Sequence, residues 1–367
     1  MAWAQREILL AYRSTNPVGL TEPNYPRAAW WVAATTDEIS ESPLQRWILD
    51  RPVVLYRGAS GQVIALDDRC PHRWAPLSMG KVIGDDIACG YHGLRFGASG
   101  RCTLIPTQAT IPAVTRVHSY PVIEAAPFVW IWTGELDEAP MAAPPAALDW
   151  AVDPGRVTAA GAMRVMCNFL ALKENVLDLS HFAFVHEKTL AVADWTSPPD
   201  VERGSDTITY RQDFIAAPLP AHYGVATRIG CERMVDRHAW GSYVSPALQI
   251  AGVEIEDPDA QGDTRAAFSI RICHATTPID AGSCHYWWYF SQDYGHGPNA
   301  SADLTARIGE AFLEDKAILE ATESLVRRDA RGSDYLNVSV ACDRAGIESR
   351  RKVEQLTARE SRIEPCA

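Results

Sequence analysis

Four side chains near the front of the chain are paired in a way that suits metal binding. In "RCPHRWAPLSMGKVIGDDIACGYHGLRF", residues 69–96, Cys70 and His72 form a Cys-x-His pair and Cys89 and His92 a Cys-x-x-His pair, with sixteen residues between the pairs. Thiolate and imidazole both ligate transition metals, and two short loops can bring four such donors to one centre. A second constellation stands at "ENVLDLSHFAFVH", residues 174–186. Glu174, Asp178 and His181 fall at i, i+4 and i+7, so one helix face collects all three. His186 leaves that face, because five residues turn a regular helix by about 140°. The helix therefore ends before His186 or widens into a π-type turn.

Structural zinc sites group like with like, a Cys pair followed by a His pair, whereas each arm at 70–92 carries one of each. The mixture suits a Rieske [2Fe–2S] cluster, in which two thiolates hold one iron and two imidazoles the other; zinc is the alternative. Neutral imidazoles raise the reduction potential above that of an all-Cys cluster. Pro71, Gly90 and Gly93 fit tight loops whose backbone N–H groups can point at sulfur. At the second constellation, two His and one carboxylate on one side of an iron leave positions open for O2. His181 and His186 supply the imidazoles, unless they are ordinary core or surface histidines. Asp178 is a nearby carboxylate, but the tail helix offers a better one. In "LTARIGEAFLEDKAILEATESLV", Leu304, Ile308, Ala311, Phe312, Ile318, Leu319 and Val326 share an apolar stripe, and Asp315 lies within it. Glu310, Glu314, Lys316 and Glu320 point elsewhere. A buried carboxylate must be paired or bound to metal, so Asp315 is the expected third ligand, with a helix-end salt bridge as the alternative.

The elements that must hold these residues follow from patterning. From about 25 to 135, runs such as "RPVVLYRG", "QVIALDD" and "FVWIWTG" are bounded by Gly, Pro or Asp, the mark of short strands. The Pro-rich "DEAPMAAPPAALDW", 137–150, reads as a linker. The expected domains are 1–140, all-β around the cluster, and 141–367, catalytic. In the second, 167–190 reads as helix, 200–295 returns to strands, and the tail from 301 is helical.

A chain of 367 residues has room for two cores. Its net charge of −12 argues against a general nucleic-acid or anionic-membrane binder. No segment approaches the ~20 apolar residues that cross a bilayer, and the N-terminal apolar run is too short for a secretory signal; the cytoplasm is the default compartment. Nine scattered Cys do not form a disulfide framework; those other than Cys70 and Cys89 are expected as free, small core residues. No G-x-G-x-x-G follows a strand, so electrons must come from a separate reductase, with or without a ferredoxin. Arg69, Arg73, Lys81, Arg95 and Arg101 around the cluster loops, against Asp85 and Asp86, form a basic rim that would steer an acidic ferredoxin. "HYWWYF", Trp240, Tyr243, His222 and Tyr223 belong to the sheet core or to an aromatic pocket. Arg271, His238 and His274 are the groups considered for a substrate carboxylate.

These residues resemble the oxygenase components of Rieske non-haem iron oxygenases, nearest the dicamba monooxygenase and vanillate O-demethylase group. "CPHRWAPLS" and "CGYHGL" resemble its cluster loops, "ENVLDLSHFAFVH" its iron motif and "EDKAILEA" its third-ligand helix. The resemblance implies a Rieske domain followed by a helix-grip catalytic domain, an antiparallel sheet wrapped around helices. It implies that Cys70, His72, Cys89 and His92 hold the cluster, and that His181, His186 and Asp315 hold the mononuclear iron. Asp178 would bridge an iron-bound His to a cluster His of a neighbouring subunit, and Asn175 would lie beside the iron. A head-to-tail homotrimer follows from the same resemblance. The implied reaction is monooxygenation of a small aromatic compound with loss of an O- or N-alkyl group. Ring or methyl hydroxylation is the alternative, and an electron-transfer protein without catalytic iron the remote one. Iron analysis of the purified, red-brown protein should give about three irons per chain, a cluster plus one more; two would identify a bare electron carrier.

Overall fold

Strand-forming runs broken by Gly, Pro and Asp build the front of the chain. The computed structural model describes residues 25–135, 148–190, 192, 194–262, 264–331 and 337–360. Its contacts divide the described residues into two compact units, 25–152 with 277–280 and 357–360 in one, and 153–276 with 281–356 in the other. The expected boundary at 140/141 and most of the proposed linker lie outside the described residues, as does Cys366.

In the first unit the strands are β1 (Trp30–Thr35), β2 (Leu44–Ile48), β3 (Arg51–Arg57), β4 (Val63–Asp67), β5 (Lys81–Ile83), β6 (Asp86–Ala88), β7 (Arg95–Phe96), β8 (Cys102–Leu104), β9 (Ser119–Tyr120), β10 (Val122–Ala125) and β11 (Phe128–Trp132). They form sheets ordered β2-β3-β4-β9, β5-β6-β7-β8 and β1-β11-β10. A core of Val54, Tyr56, Leu66, Leu77, Ile87 and Phe96 also contains Cys70 and Cys89. The loops after β4 and β6 are thus pinned into the core through their cysteines.

The second unit is an antiparallel sheet of longer strands with helices. Its strands are β12 (Val157–Val165), β13 (Asp200–Arg203), β14 (Ile208–Pro218), β15 (Met234–Ser245), β16 (Leu248–Glu256), β17 (Ala267–Asp280) and β18 (Ser283–Gln292). Their order is β12-β18-β17-β16-β15-β14-β13. The helices are α1 (Phe169–Leu177), α2 (Phe182–Val185), α3 (Ala221–Thr227), α4 (Ala300–Arg328) and α5 (Arg344–Glu360). The carboxylates of α4 tie it to the chain after β12: Glu320 accepts from Met166 N–H at 2.8 Å and Glu323 from Asn168 N–H at 3.0 Å. No described helix is long and apolar enough to cross a membrane.

Three expectations change. The helix expected over 167–190 breaks at Asp178, whose backbone is extended at φ −118° and ψ 106°. Its carboxylate accepts from Ser180 N–H at 2.9 Å and starts a new turn; a side chain that competes for backbone donors in this way ends a helix. Glu174 therefore shares no face with His181 and pairs with Arg350 instead, Oε2 to Nη2 2.6 Å. On α4 the buried positions are Leu304, Ile308, Ala311, Asp315, Leu319 and Glu323. Ile318, expected in that stripe, is 49% exposed, while Leu319, about 100° further round the helix, is the buried one. Cys167, Cys273 and Cys284 are core residues, while Cys102, Cys231 and Cys342 are only half-buried.

Within α1, Lys173 is fully buried, with Gln249 Oε1 3.2 Å from its Nζ. Burial brings its pKa down from 10.5 to about 7. The unfolded chain then holds a proton that the folded one sheds between those values, so stability contributed at this site rises with pH across that window. In Lys173→Met the dependence should vanish. Unfolding midpoints followed by circular dichroism should shift in favour of the wild type between pH 7 and pH 9; a constant gap would show that Lys173 does not titrate as a buried group.

Candidate metal centres

The two cluster loops repeat one backbone pattern. Cys70 N–H donates to Ala75 C=O at 2.9 Å, and Cys70 C=O accepts from Trp74 N–H at 2.8 Å. Cys89 N–H donates to Leu94 C=O at 2.8 Å, and Cys89 C=O accepts from Gly93 N–H at 3.0 Å. Each loop closes through a residue in the left-handed region, Trp74 at φ 63° and Gly93 at φ 72°. Glycine adopts that conformation without strain; the tryptophan is held there with the Arg69 guanidinium 3.9 Å from its ring centroid. The result is two buried thiols side by side and two exposed imidazoles, His72 and His92, with ring centroids 4.5 Å apart. Burial pushes the Cys70 thiol up to about 11, the neighbouring Cys89 adds to this, and backbone N–H groups of His72 and Arg73 act against it. Those N–H groups point at sulfur as the tight loops anticipate. Two adjacent sulfurs in a core can both ionise only beside positive charge, so this donor set fits a two-iron cluster with thiolates inside and imidazoles at the surface.

The second centre is assembled from α4 and the broken helix. His181 and His186 bring their Nε2 atoms to within 3.4 Å and 3.3 Å of Asp315 Oδ1. One ligand atom from each residue lies within 4.8 Å of the others. Both tautomers are set from behind. His181 Nδ1 donates to the Asp178 backbone C=O at 2.5 Å, and His186 Nδ1 to Glu314 Oε2 at 2.9 Å. Each Nε2 therefore turns a lone pair inward, and His181 Nε2 is buried with no hydrogen-bond partner among the described residues. Two lone pairs and a carboxylate facing one point can hold a cation, and two His with one carboxylate on one side fit ferrous iron. Asp315 is 4% exposed. Burial would raise its pKa, yet positive charge at His181 and His186, which a bound cation between them would replace, holds it below the carboxylate range. Asn175 Nδ2 donates to Asp315 Oδ1 at 3.1 Å, which puts its amide beside the triad.

The triad forms part of the wall of a cavity lined mainly by apolar side chains. Trp195, Tyr210, Tyr223, Trp240, Phe290 and Phe312 line it, over Val253, Ile270 and Ile272. Trp240 crosses opposite Gly252 on β16, where an added Cβ would stand 2.7 Å from the indole. His274 also lines the cavity, its Nδ1 2.7 Å from Tyr286 Oη, and burial brings its pKa down to about 4, so it is neutral at pH 7.

Of the residues considered for a pocket, Tyr223, Trp240 and His274 line the cavity, as does Phe290 of "HYWWYF"; Tyr243, Tyr286, Trp287 and Trp288 are core. The side chain of His222 lies outside the described residues. Arg271 pairs with Glu254 at 2.5 Å and His238 with Asp213 at 2.7 Å, so neither faces the cavity. Asp178 meets His181 through its backbone carbonyl, its carboxylate capping Ser180. Glu314, expected to point away, instead orients His186 and accepts from Thr189 Oγ1 at 2.6 Å. Its only trace in the sequence is an acid beside the acid of the apolar stripe.

With this geometry in hand, comparison with known proteins is direct. Residues 29–121 match the Rieske [2Fe-2S] domain and residues 165–359 the vanillate O-demethylase oxygenase C-terminal domain. The vanillate O-demethylase oxygenase subunit of Pseudomonas sp. (strain HR199 / DSM 7063) is 30% identical over 94% of this chain and 98% of its own. The dicamba O-demethylase oxygenase component of Stenotrophomonas maltophilia is 34% identical over 90% of this chain and 98% of its own. Among solved structures, dicamba monooxygenase bound to 3,6 dichlorosalicylic acid superposes with a TM-score of 0.84 at 31% identity, covering 91% of this chain and 98% of that one.

Asp315→Ala should remove the mononuclear iron and leave the visible spectrum of the cluster intact. Glu314→Ala should keep all three ligands but weaken iron binding by about 10- to 100-fold, since it frees His186 to turn. Iron titration followed by metal analysis checks both; full iron retention in Asp315→Ala would exclude Asp315 as a ligand.

Proposed function

This chain belongs to the Rieske non-haem iron oxygenases, and from that premise we propose that it is the terminal oxygenase of a multicomponent monooxygenase that removes an O- or N-alkyl group from a small aromatic compound. The observation that carries the reading is the convergence of His181, His186 and Asp315 on one point at the wall of an aromatic-lined cavity. The groups held by these residues and by Cys70, His72, Cys89 and His92 supply the redox chemistry, single-electron transfer at the cluster and O2 activation at the ferrous ion.

The protein's own contribution is placement. Asp315 brings the negative charge that holds a dication in an apolar surrounding. Glu314 and the Asp178 carbonyl fix which imidazole nitrogen faces inward, and Asn175 keeps the Asp315 carboxylate turned toward the histidines. The aromatic walls exclude water and hold a flat ring so that one alkyl carbon lies at the triad. Oxygen placed on a carbon attached to ether oxygen or amine nitrogen gives a hemiacetal or hemiaminal, which collapses and releases an aldehyde.

Electrons come from a separate reductase, alone or through a ferredoxin. Arg69, Arg73, Lys81 and Arg101 are exposed and Arg95 half-buried around the cluster loops, a basic rim suited to an acidic carrier. In keeping with the family, three copies form a head-to-tail ring in the cytoplasm and electrons cross between copies by way of Asp178. The test is a product assay with NADH, a flavin reductase and ferredoxin pair, O2, and a panel of methoxybenzoates, N-alkyl anilides and plain aryl acids. Aldehyde equal to the aromatic product is the expected result. An oxygenated product without aldehyde would make the protein a ring or methyl hydroxylase.

A further inference from the structure

We propose that Arg307 anchors the substrate by receiving an oxyanion, a carboxylate or sulfonate, borne by its aromatic ring. The inference deepens the aromatic-oxygenase reading and rests on it. Arg307 is the one Lys or Arg among the described residues that line the cavity. Its Nε is buried with no hydrogen-bond partner, and the guanidinium makes no ion pair among the described residues. The other half-buried and buried arginines of the catalytic unit meet a carboxylate, among them Arg350 with Glu174, Arg271 with Glu254, Arg237 with Asp194 and Arg156 with Asp293. The carboxylate lining the cavity is Asp315, already committed to His181 and His186. A guanidinium facing an apolar chamber without a protein partner is complementary to an anion brought from outside, and its planar fork matches two oxygens of one oxyanion.

Position on α4 sets the reach. Arg307, Ala311 and Asp315 follow at i, i+4 and i+8 on one face, so the Arg and Asp Cα atoms stand two turns, about 12 Å, apart. The residue between them, Ala311, lines the cavity and carries only a methyl group, which leaves room over the helix for a ring. An anion held by Arg307 thus directs the opposite side of the ring at the triad. Tyr294, which Arg307 influences electrostatically, lines the same chamber. In this arrangement the cation selects acids over neutral arenes and fixes which substituent faces the iron ligands.

Binding separates this from the dealkylation reading, because it needs neither reductase nor O2. Anaerobic calorimetry on iron-loaded enzyme would compare 3- and 4-methoxybenzoate and 4-methoxybenzenesulfonate with the matching benzamides. The wild type should bind at least one of the oxyanions about 10- to 100-fold more tightly than its amide. Arg307→Gln should abolish the preference and Arg307→Lys retain part of it, with iron content and cluster spectrum unchanged in both. Equal binding of acids and amides by the wild type, or a preference surviving in Arg307→Gln, would overturn the proposal. If the Gln variant fails to fold, the wild-type comparison and the Lys variant decide. Anion preference without aldehyde release would overturn the dealkylation reading alone.

Discussion

Asp315 is the residue on which the catalytic unit turns. A carboxylate 4% exposed on a helix stripe that is apolar but for it and Glu323 is tolerable only with positive charge or strong donors around it. Here the imidazoles of His181 and His186 face it and the amide of Asn175 donates to it. Because His181 and His186 already spend their Nδ1 protons on Asp178 C=O and Glu314, what remains between them and Asp315 is an electron-rich pocket. The positions of α4, of the broken helix and of the cavity wall all follow from keeping that pocket closed and polar on one side only.

The break at Asp178 makes the arrangement possible. A continuous helix would carry His181 and His186 on faces about 140° apart. Ending α1 at Leu177, and restarting the chain through a short turn and α2, detaches the two histidines from one helical phase and lets both converge on α4. The same residue that ends the helix then holds His181 by its carbonyl. Backbone disruption and ligand orientation are one event here, a local structure that disobeys its neighbours in order to build a site.

In the other unit the constraint is different. The thiols sit inside a β core and the imidazoles at its surface, so the sheets need only present two matching loops. That is a local problem, solved by two turns with the same hydrogen bonds, and a short stretch of chain suffices for it. The catalytic centre draws on residues far apart in sequence and depends on how α4 packs.

That difference decides what was readable in advance. That donors of short spacing come together was legible: Cys70, His72, Cys89 and His92 stand on two neighbouring loops, and Asp315 draws notice because an acid in an apolar stripe has few physical excuses. The strands were legible through alternation. Phase and partners were not. Whether Ile318 or Leu319 faces inward depends on the surface α4 packs against, and Glu314 looked solvated until His186 was placed beside it. The helix break hangs on one aspartate competing for a backbone donor. Arg307 is an unremarkable helix residue in the sequence and a solitary cation in the cavity only once β14 to β18 close around it. Residue type and spacing determine which chemistry is available; tertiary packing determines which side chains share a dry space, because burial and pairing are properties of neighbours that the chain brings together from a distance.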